Sequence, residues 1–265
     1  MSTLDAAGRP VAPLSAPRRL WALALTVAER PRYFIPFLVV LTSLGLWLDS
    51  LGGMGWQITL SVVAWAVLII ACVPLGALDR SRVFVVVVVA TTAELIFSTL
   101  FGVYDYRLGN LPLFVPAGHG LVYLAGYRFS QSRIARVHPR IIVGVAIAGA
   151  LGWGILGLTD WLGRVDVAGA IAVAFLVVFL IIGRAPVLYA GVIFFVAFLE
   201  IWGTWVGTWV WHEYVPGLGI TNGNPPSGAA AGYVLFDICA LAFAPAVLAA
   251  WRWGARRLRP GTAGS

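Results

Sequence analysis

Three acidic residues lie inside strongly apolar stretches of the chain and are the first candidates for chemistry: Glu94, Glu200 and Asp237. A carboxylate at the centre of a membrane-inserted helix costs about 2.5–3.5 kcal/mol, so acids found there generally serve a function. Two carboxyl groups close together do not both ionise, and the one that keeps its proton near neutral pH is a general acid. The alternative is structural, with each protonated glutamate hydrogen-bonded to the backbone or to the hydroxyl one helical turn further on, at Ser98 or Thr204.

Aromatic residues are dense on the C-terminal side of both glutamates. They predict either an interfacial belt at the headgroup level or a pocket whose negative ring faces stabilise a cation. We expect Trp202 and Trp205 to lie deeper than a belt requires, which favours the pocket. The predicted substrate-binding residues are Tyr104, Tyr106, Tyr123, Trp202, Trp205, Trp209, Trp211 and Tyr233.

His119 is the one histidine within an apolar segment, and we include it with the three acids among the candidate catalytic residues. A proton relay to Glu94 and a hydrogen-bonded packing role are both open for it. Asp237 either orients or charges the same pocket, or pairs with a hydroxyl. No second histidine lies three or four residues from His119, and Cys72 and Cys239 belong to no ligand-spaced cluster, so we predict neither a metal nor a cofactor.

The elements that must position these residues are membrane-spanning helices. Of 265 residues, 60% are hydrophobic and 11% are charged, far from the composition of a soluble domain. The apolar runs are continuous and about 20 residues long, which predicts helices and excludes a β-barrel. A soluble enzyme, a secreted disulfide scaffold and, despite a pI near 10.0, a nucleic-acid binder are also excluded. The predicted spans are residues 33–51, 56–78, 83–104, 113–127, 141–158, 167–182, 187–211 and 229–251.

The arginines predict the orientation of these eight spans. All 18 basic residues are arginines, and with the N-terminus in the cytoplasm only Arg107 and Arg164 lie outside. The positive-inside rule therefore predicts a multi-pass plasma-membrane protein with both termini cytoplasmic. Residues 1–32 then form a cytoplasmic tail and interfacial segment, residues 33–252 the membrane domain, and residues 253–265 a basic cytoplasmic tail.

An internal repeat predicts how the spans are arranged, with halves at about 33–140 and 141–252. Glu94 and Glu200 are each followed by a hydroxyl residue and then by Gly-x-aromatic-x-aromatic. An offset of four spans makes corresponding helices parallel, so the axis relating the halves runs along the membrane normal and both acids share one depth. Coincidence in a Gly-, Trp- and Ala-rich chain is the alternative. The following loops and helices match as well, with Pro116, Gly118 and Tyr123 corresponding to Pro226, Gly228 and Tyr233.

The order of these features resembles a known family. A helix bearing Glu, a Gly-x-aromatic-x-aromatic exit, a Pro-containing loop and a helix carrying Tyr are similar to the integral membrane carotenoid-biosynthesis proteins of the carotenoid-hydratase type, and more remotely to the small membrane lycopene cyclases. Those families act on polyene or prenyl chains by protonating a double bond. The resemblance implies that Glu94 and Glu200 are the proton donors and that the adjacent aromatic residues shield the cation.

The sequence thus predicts an all-α polytopic membrane protein with eight transmembrane helices in two parallel four-helix repeats, and a lipophilic pocket at their junction. The predicted function is proton-initiated hydration, cyclisation or isomerisation of an isoprenoid or carotenoid-like lipid. Expected partners are membrane lipids and a lipophilic small-molecule substrate. A proton-coupled transporter or lipid-binding permease and a structural subunit of a membrane complex are the alternatives, although the lack of broken helices disfavours ion transport.

Overall fold

A computed structural model describes residues 15–257 and shows a bundle of helices joined by short connections. The first half of the chain holds α1 (Ala16–Glu29), α2 (Pro31–Leu51), α3 (Met54–Cys72), α4 (Ala77–Glu94), a π-helical turn (Leu95–Leu100), strand β1 (Tyr104–Tyr106), α5 (Phe114–Ser130) and α6 (Arg133–Val137). The second half holds α7 (Pro139–Gly157), a 3-10 turn (Asp160–Leu162), α8 (Val167–Ile182), α9 (Pro186–Trp205), strand β2 (Trp209–Trp211) and α10 (Ala230–Arg257).

Within residues 15–257, six helices are long and apolar enough to cross a membrane, as expected of a multi-pass membrane protein. They are α2, α3, α4 with its π-helical extension, α7, α9 and α10. The two other predicted spans, 113–127 and 167–182, coincide with α5 and α8, which have 17 and 16 residues. Large apolar side chains such as Ile182 and Phe175 are exposed on the outside of the bundle, where lipid would cover them.

Helix α5 forms the centre of the bundle, with most of its side chains buried against α3, α4 and α9. Two glycines allow it to approach α9 closely. A Cβ at Gly126 would collide with Val192, and one at Gly191 would collide with Phe129. Small residues at such contacts are the usual means by which membrane helices pack tightly.

Two predicted spans, 83–104 and 187–211, end earlier than the sequence analysis expected. Gly102 (φ +61) and Gly207 (φ +77) adopt the left-handed conformation that ends a helix. The residues beyond them form β1 and β2, which pair in antiparallel orientation. The fold is that of an all-α membrane protein, with one two-stranded sheet at an end of the bundle.

The register of the sheet places the first residue of each strand opposite the third residue of the other, so Tyr104 pairs with Trp211 and Tyr106 with Trp209. The central residues Asp105 and Val210 form one pair, which puts a local twofold axis between them. Gly102 is the eighth residue after Glu94, whereas Gly207 is the seventh residue after Glu200. A π-helical turn accommodates one extra residue in a helix, which accounts for the turn that follows Glu94 alone.

The N-terminal helix α1 packs against α2 and α3 and exposes Leu20, Trp21 and Leu23 on its other side. An amphipathic helix of this kind is typical of an interfacial segment, and the interfacial role of residues 1–32 stays a prediction. The outer parts of both predicted tails, residues 1–14 and 258–265, lie outside the described residues.

Candidate functional site

A cavity of about 480 Å³ lies at the end of the bundle that carries the strand pair. Its volume is within the range of small-molecule sites. Its wall is predominantly apolar and comes from both halves of the chain, with side chains from α2, α3, α4 and α5 on one side and from α8, α9 and α10 on the other. Both Glu94 and Glu200 line it.

Glu94 is the most strongly hydrogen-bonded acid of the site. The hydroxyl groups of Tyr104 and Tyr106 both donate to its Oε2, each at 2.8 Å. Its Oε1 lies 2.9 Å from Nε2 of His119. Burial, together with the neighbouring Glu94, raises the pKa of the Tyr104 and Tyr106 phenols, so both remain protonated donors.

Glu200 has different partners. The indole N–H groups of Trp209 and Trp211 donate to its Oε2 at 3.0 and 3.1 Å. Within residues 15–257 it has no ion-pair partner. One structural alternative predicted a hydrogen bond between the Thr204 hydroxyl and the carboxyl group of Glu200. The hydroxyl instead donates to the backbone carbonyl of Glu200, at 2.7 Å.

The strand pair links the two acids. Alternate residues of a strand point to the same face, so the first and third residues of β1 both reach Glu94 and those of β2 both reach Glu200. Across the sheet, the rings of Tyr104 and Trp211 lie with their centroids 4.4 Å apart. The four aromatic residues of the strands therefore form a continuous wall between the carboxyl groups.

The remaining predicted site residues fall into three groups. His119 and Tyr233 line the cavity, with their ring centroids 4.9 Å apart. Trp202 and Trp205 do not line it: the indole of Trp202 donates to the carbonyl of Ser43 at 3.0 Å, and Trp205 is 74% exposed on the outside of the bundle.

Tyr123 and Asp237 lie deeper in the bundle, away from the cavity wall. Both side chains are almost completely buried. The hydroxyl of Tyr123 and Oδ2 of Asp237 have no hydrogen-bond partner in the described part of the chain, and the same is true of Nδ1 of His119. Buried polar atoms without a partner are uncommon.

Asp166 fixes a loop at the edge of the cavity, and the sequence analysis did not identify it. It precedes α8 and accepts a hydrogen bond from the backbone N–H of Gly169 at 2.9 Å, as an N-cap. It also accepts from the backbone N–H of Gly223 at 2.8 Å and from both the N–H and the hydroxyl of Ser227 at 2.6 and 2.7 Å. These bonds fix the loop whose Asn222 and Pro226 close one side of the cavity.

Histidine, cysteine, aspartate and glutamate side chains are the usual protein ligands of a metal ion. No cluster of three or more such residues occurs within residues 15–257. Cys72 and Cys239 are both free thiols. The polar side chains that line the cavity carry carboxyl, imidazole, phenol, indole, hydroxyl and amide groups.

Comparisons with known proteins return no match: no protein-family model, no curated protein and no solved structure corresponds to this chain. A function for the protein is therefore inferred from the site itself, from its donors, acceptors and apolar wall.

Proposed function

We propose that the protein is an integral membrane enzyme that protonates a carbon–carbon double bond of an isoprenoid or similarly unsaturated lipid. One observation carries this proposal: two buried glutamates with different partners line a single apolar cavity whose wall between them is aromatic. An apolar cavity fits a hydrocarbon chain, and aromatic faces stabilise a carbocation formed within it.

The two glutamates have different roles in this proposal. Glu200 is buried without a cationic partner among the described residues, and its two indole hydrogen bonds both go to Oε2, so it is the acid that holds a proton. Glu94 receives two phenol hydrogen bonds and contacts His119, which together favour its carboxylate form. Glu200 is therefore the proton donor, and Glu94 supplies negative charge to the cavity.

The reaction balances without an oxidant or a reductant. The proton of Glu200 bonds to one alkene carbon using the π-electron pair, which leaves a glutamate anion and a carbocation on the other alkene carbon. The rings of Tyr104 and Trp211 and the charge of Glu94 stabilise this cation. Loss of an adjacent proton to Nδ1 of His119 gives an isomer, attack by water followed by proton loss gives an alcohol, and attack by a second double bond followed by proton loss gives a ring. The released proton restores Glu200.

The proposal extends to topology. Eight spans in two parallel repeats, in the plasma membrane with both termini cytoplasmic, are supported by the arginine distribution and by the local twofold axis at the central Asp105–Val210 pair of the sheet. Helices α5 and α8 are short spans in this arrangement, which local thinning of the bilayer accommodates. The similarity to carotenoid-hydratase-type proteins supports a polyene or prenyl substrate.

Mass spectrometry of total lipid extracts tests the enzyme proposal without a chosen substrate. Host cells producing the protein should contain a lipid that differs by one water, or by retention time at equal mass, from a lipid of cells without it. Glu200→Gln should abolish the difference, whereas Glu213→Gln, on the exposed loop after β2, should retain it. Identical extracts with and without the protein would overturn the proposal.

A proton-coupled transporter is the second candidate, because polar residues continue into the bundle beneath the cavity. It predicts movement of an unchanged molecule across the membrane and no new lipid species, so the same extracts distinguish the two functions.

A further inference from the structure

A line of polar side chains runs from the cavity through the interior of the bundle. It begins at Glu94 and His119 and continues with Tyr123 and Tyr127, which follow His119 one and two turns further along α5. The rings of Tyr123 and Tyr127 are stacked, with centroids 6.1 Å apart. The line ends where the hydroxyl of Tyr127 donates to Asp79 Oδ2 at 2.8 Å.

The ends of this line lie at opposite ends of one helix. Asp79 is in the first turn of α4, and Glu94 is its last residue. Fifteen residues at 1.5 Å each separate them by about 22 Å, most of a hydrocarbon core of about 30 Å. At the far end, Arg82 binds Asp79 at 2.7 Å. In the proposed orientation this end faces the cytoplasm.

The middle of the line holds three buried polar atoms without partners in residues 15–257: Nδ1 of His119, the hydroxyl of Tyr123 and Oδ2 of Asp237. Burying a polar group without a hydrogen bond costs free energy, so such atoms are rare. Because three of them occur along one line, we infer a single explanation for all three. Asp237, on α10, is close enough to Tyr123 on α5 and Tyr189 on α9 to interact with both electrostatically. Asp79 and Arg82 act on Tyr123 from α4.

We infer that Tyr123 and Asp237 relay protons between the Tyr127–Asp79 pair and the His119–Glu94 pair. Hydroxyl and carboxyl groups both accept and donate a proton, and polar side chains inside membrane bundles commonly mark such pathways. The purpose of this proton transfer rests on the proposed function. There, the relay equilibrates the protons of Glu94 and Glu200 with water at the end of the bundle opposite the strand pair. The relay itself is a property of the bundle and is tested without a lipid substrate.

Infrared spectroscopy of the full-length protein in lipid nanodiscs follows the relay directly. The carboxyl stretching band of protonated Asp237 is assigned as the band that Asp237→Asn removes. After transfer into D2O, its shift reports hydrogen–deuterium exchange at that group. Tyr127→Phe and Tyr123→Phe each remove one hydroxyl of the relay and keep the ring. Tyr189→Phe is the matched control, because it removes a hydroxyl from a buried tyrosine that also interacts electrostatically with Asp237 but is not on the line. Thermal unfolding verifies that each variant is folded.

We expect Asp237 to exchange about tenfold more slowly in Tyr127→Phe and Tyr123→Phe than in the unmodified protein and in Tyr189→Phe. Equal exchange rates in all four proteins would overturn the relay, because the proton would then reach Asp237 by another route. The lack of an Asp237 band at every pH at which the protein is folded would also overturn it, since a relay group must bind a proton. Neither result depends on whether the lipid extracts change.

Discussion

The rings of Tyr104 and Trp211 contact one another across the strand pair, with centroids 4.4 Å apart and planes tilted by 48°, and each side chain donates a hydrogen bond to a different glutamate. The two acids are therefore held on one wall of one cavity by a rigid aromatic unit rather than by flexible loops. Catalytic groups held by packed, hydrogen-bonded neighbours keep their geometry, which is what transfer of a proton to a specified carbon requires.

Replacing either glutamate by glutamine should abolish activity without unfolding the protein. Gln keeps the shape of the side chain, but at position 200 it does not transfer the proton and at position 94 it carries no negative charge to stabilise the cation. Loss of a general acid typically lowers the rate by about 10²–10⁴-fold. Product formation in membranes and thermal unfolding of the purified variants measure the two effects. Full activity in both Glu94→Gln and Glu200→Gln would exclude the acid mechanism.

The hydrogen bonds from the strands should also stabilise the fold. Tyr104→Phe and Trp211→Phe each remove a buried donor to a carboxyl group, and we expect each to lower the free energy of unfolding by about 1–3 kcal/mol. Trp205→Phe is the control, because Trp205 is exposed and makes no contact with either acid. Thermal or denaturant unfolding in detergent provides the measurement, and an equal loss in the control would argue against a specific role of the sheet.

The glycines before the strands should not tolerate a side chain. Gly102 and Gly207 have positive φ angles, although a Cβ at either position would meet no atom within 4 Å. Alanine at either should therefore cost about 1 kcal/mol through backbone strain alone. Gly149→Ala, in the interior of α7 and also free of steric contacts, should instead stabilise by a similar amount. Unfolding midpoints that shift in the same direction in all three variants would contradict this prediction.

Asp166 should hold the loop that closes the cavity. Asp166→Ala removes the acceptor of all four hydrogen bonds and should cost about 3 kcal/mol, with the loop over residues 221–227 becoming sensitive to protease. Asp160→Ala, in the 3-10 turn on the exposed surface nearby, is the control. Limited proteolysis with mass spectrometry locates the cleavage, and an unchanged pattern in Asp166→Ala would show that the loop is held by other contacts.

The arginine distribution predicts that the segment around Ser132 faces the cytoplasm. With Cys72 and Cys239 replaced by serine, a cysteine placed at Ser132 should react with an impermeant thiol reagent only after the cells are opened. A cysteine at Glu213, in the loop after β2, should react in intact cells. The reverse pattern would invert the proposed orientation.

Much of the helical framework follows from the sequence, because long apolar runs have few alternatives in a bilayer. The strand pair was missed. The runs at Tyr104–Tyr106 and Trp209–Trp211 continue apolar spans, and three residues are too few to outweigh that pattern. One sequence pattern could have predicted the strands. In both segments a glycine is followed by aromatic residues at every second position, which is typical of a strand after a turn.

The site was predicted in part. The shared cavity of Glu94 and Glu200 agrees with the expectation drawn from their matched surroundings. Trp202 and Trp205 follow Glu200 by two and five residues, which at about 100° per residue places both far from the helix face that carries Glu200. Their positions outside the cavity could therefore have been predicted from the sequence. The partners of Asp166 are 57 and 61 residues away, and no local pattern indicates contacts at that separation.

The central claim is that Glu200 transfers a proton to a lipid carbon. Membranes containing the protein, incubated in D2O buffer and then extracted into ordinary water, test it directly, because deuterium bonded to carbon survives the extraction while deuterium on oxygen does not. Hydration, cyclisation and isomerisation all place one solvent-derived hydrogen on carbon. We expect a lipid carrying carbon-bound deuterium with the unmodified protein and with Glu213→Gln, but not with Glu200→Gln. Lipids free of protein-dependent carbon-bound deuterium would contradict it.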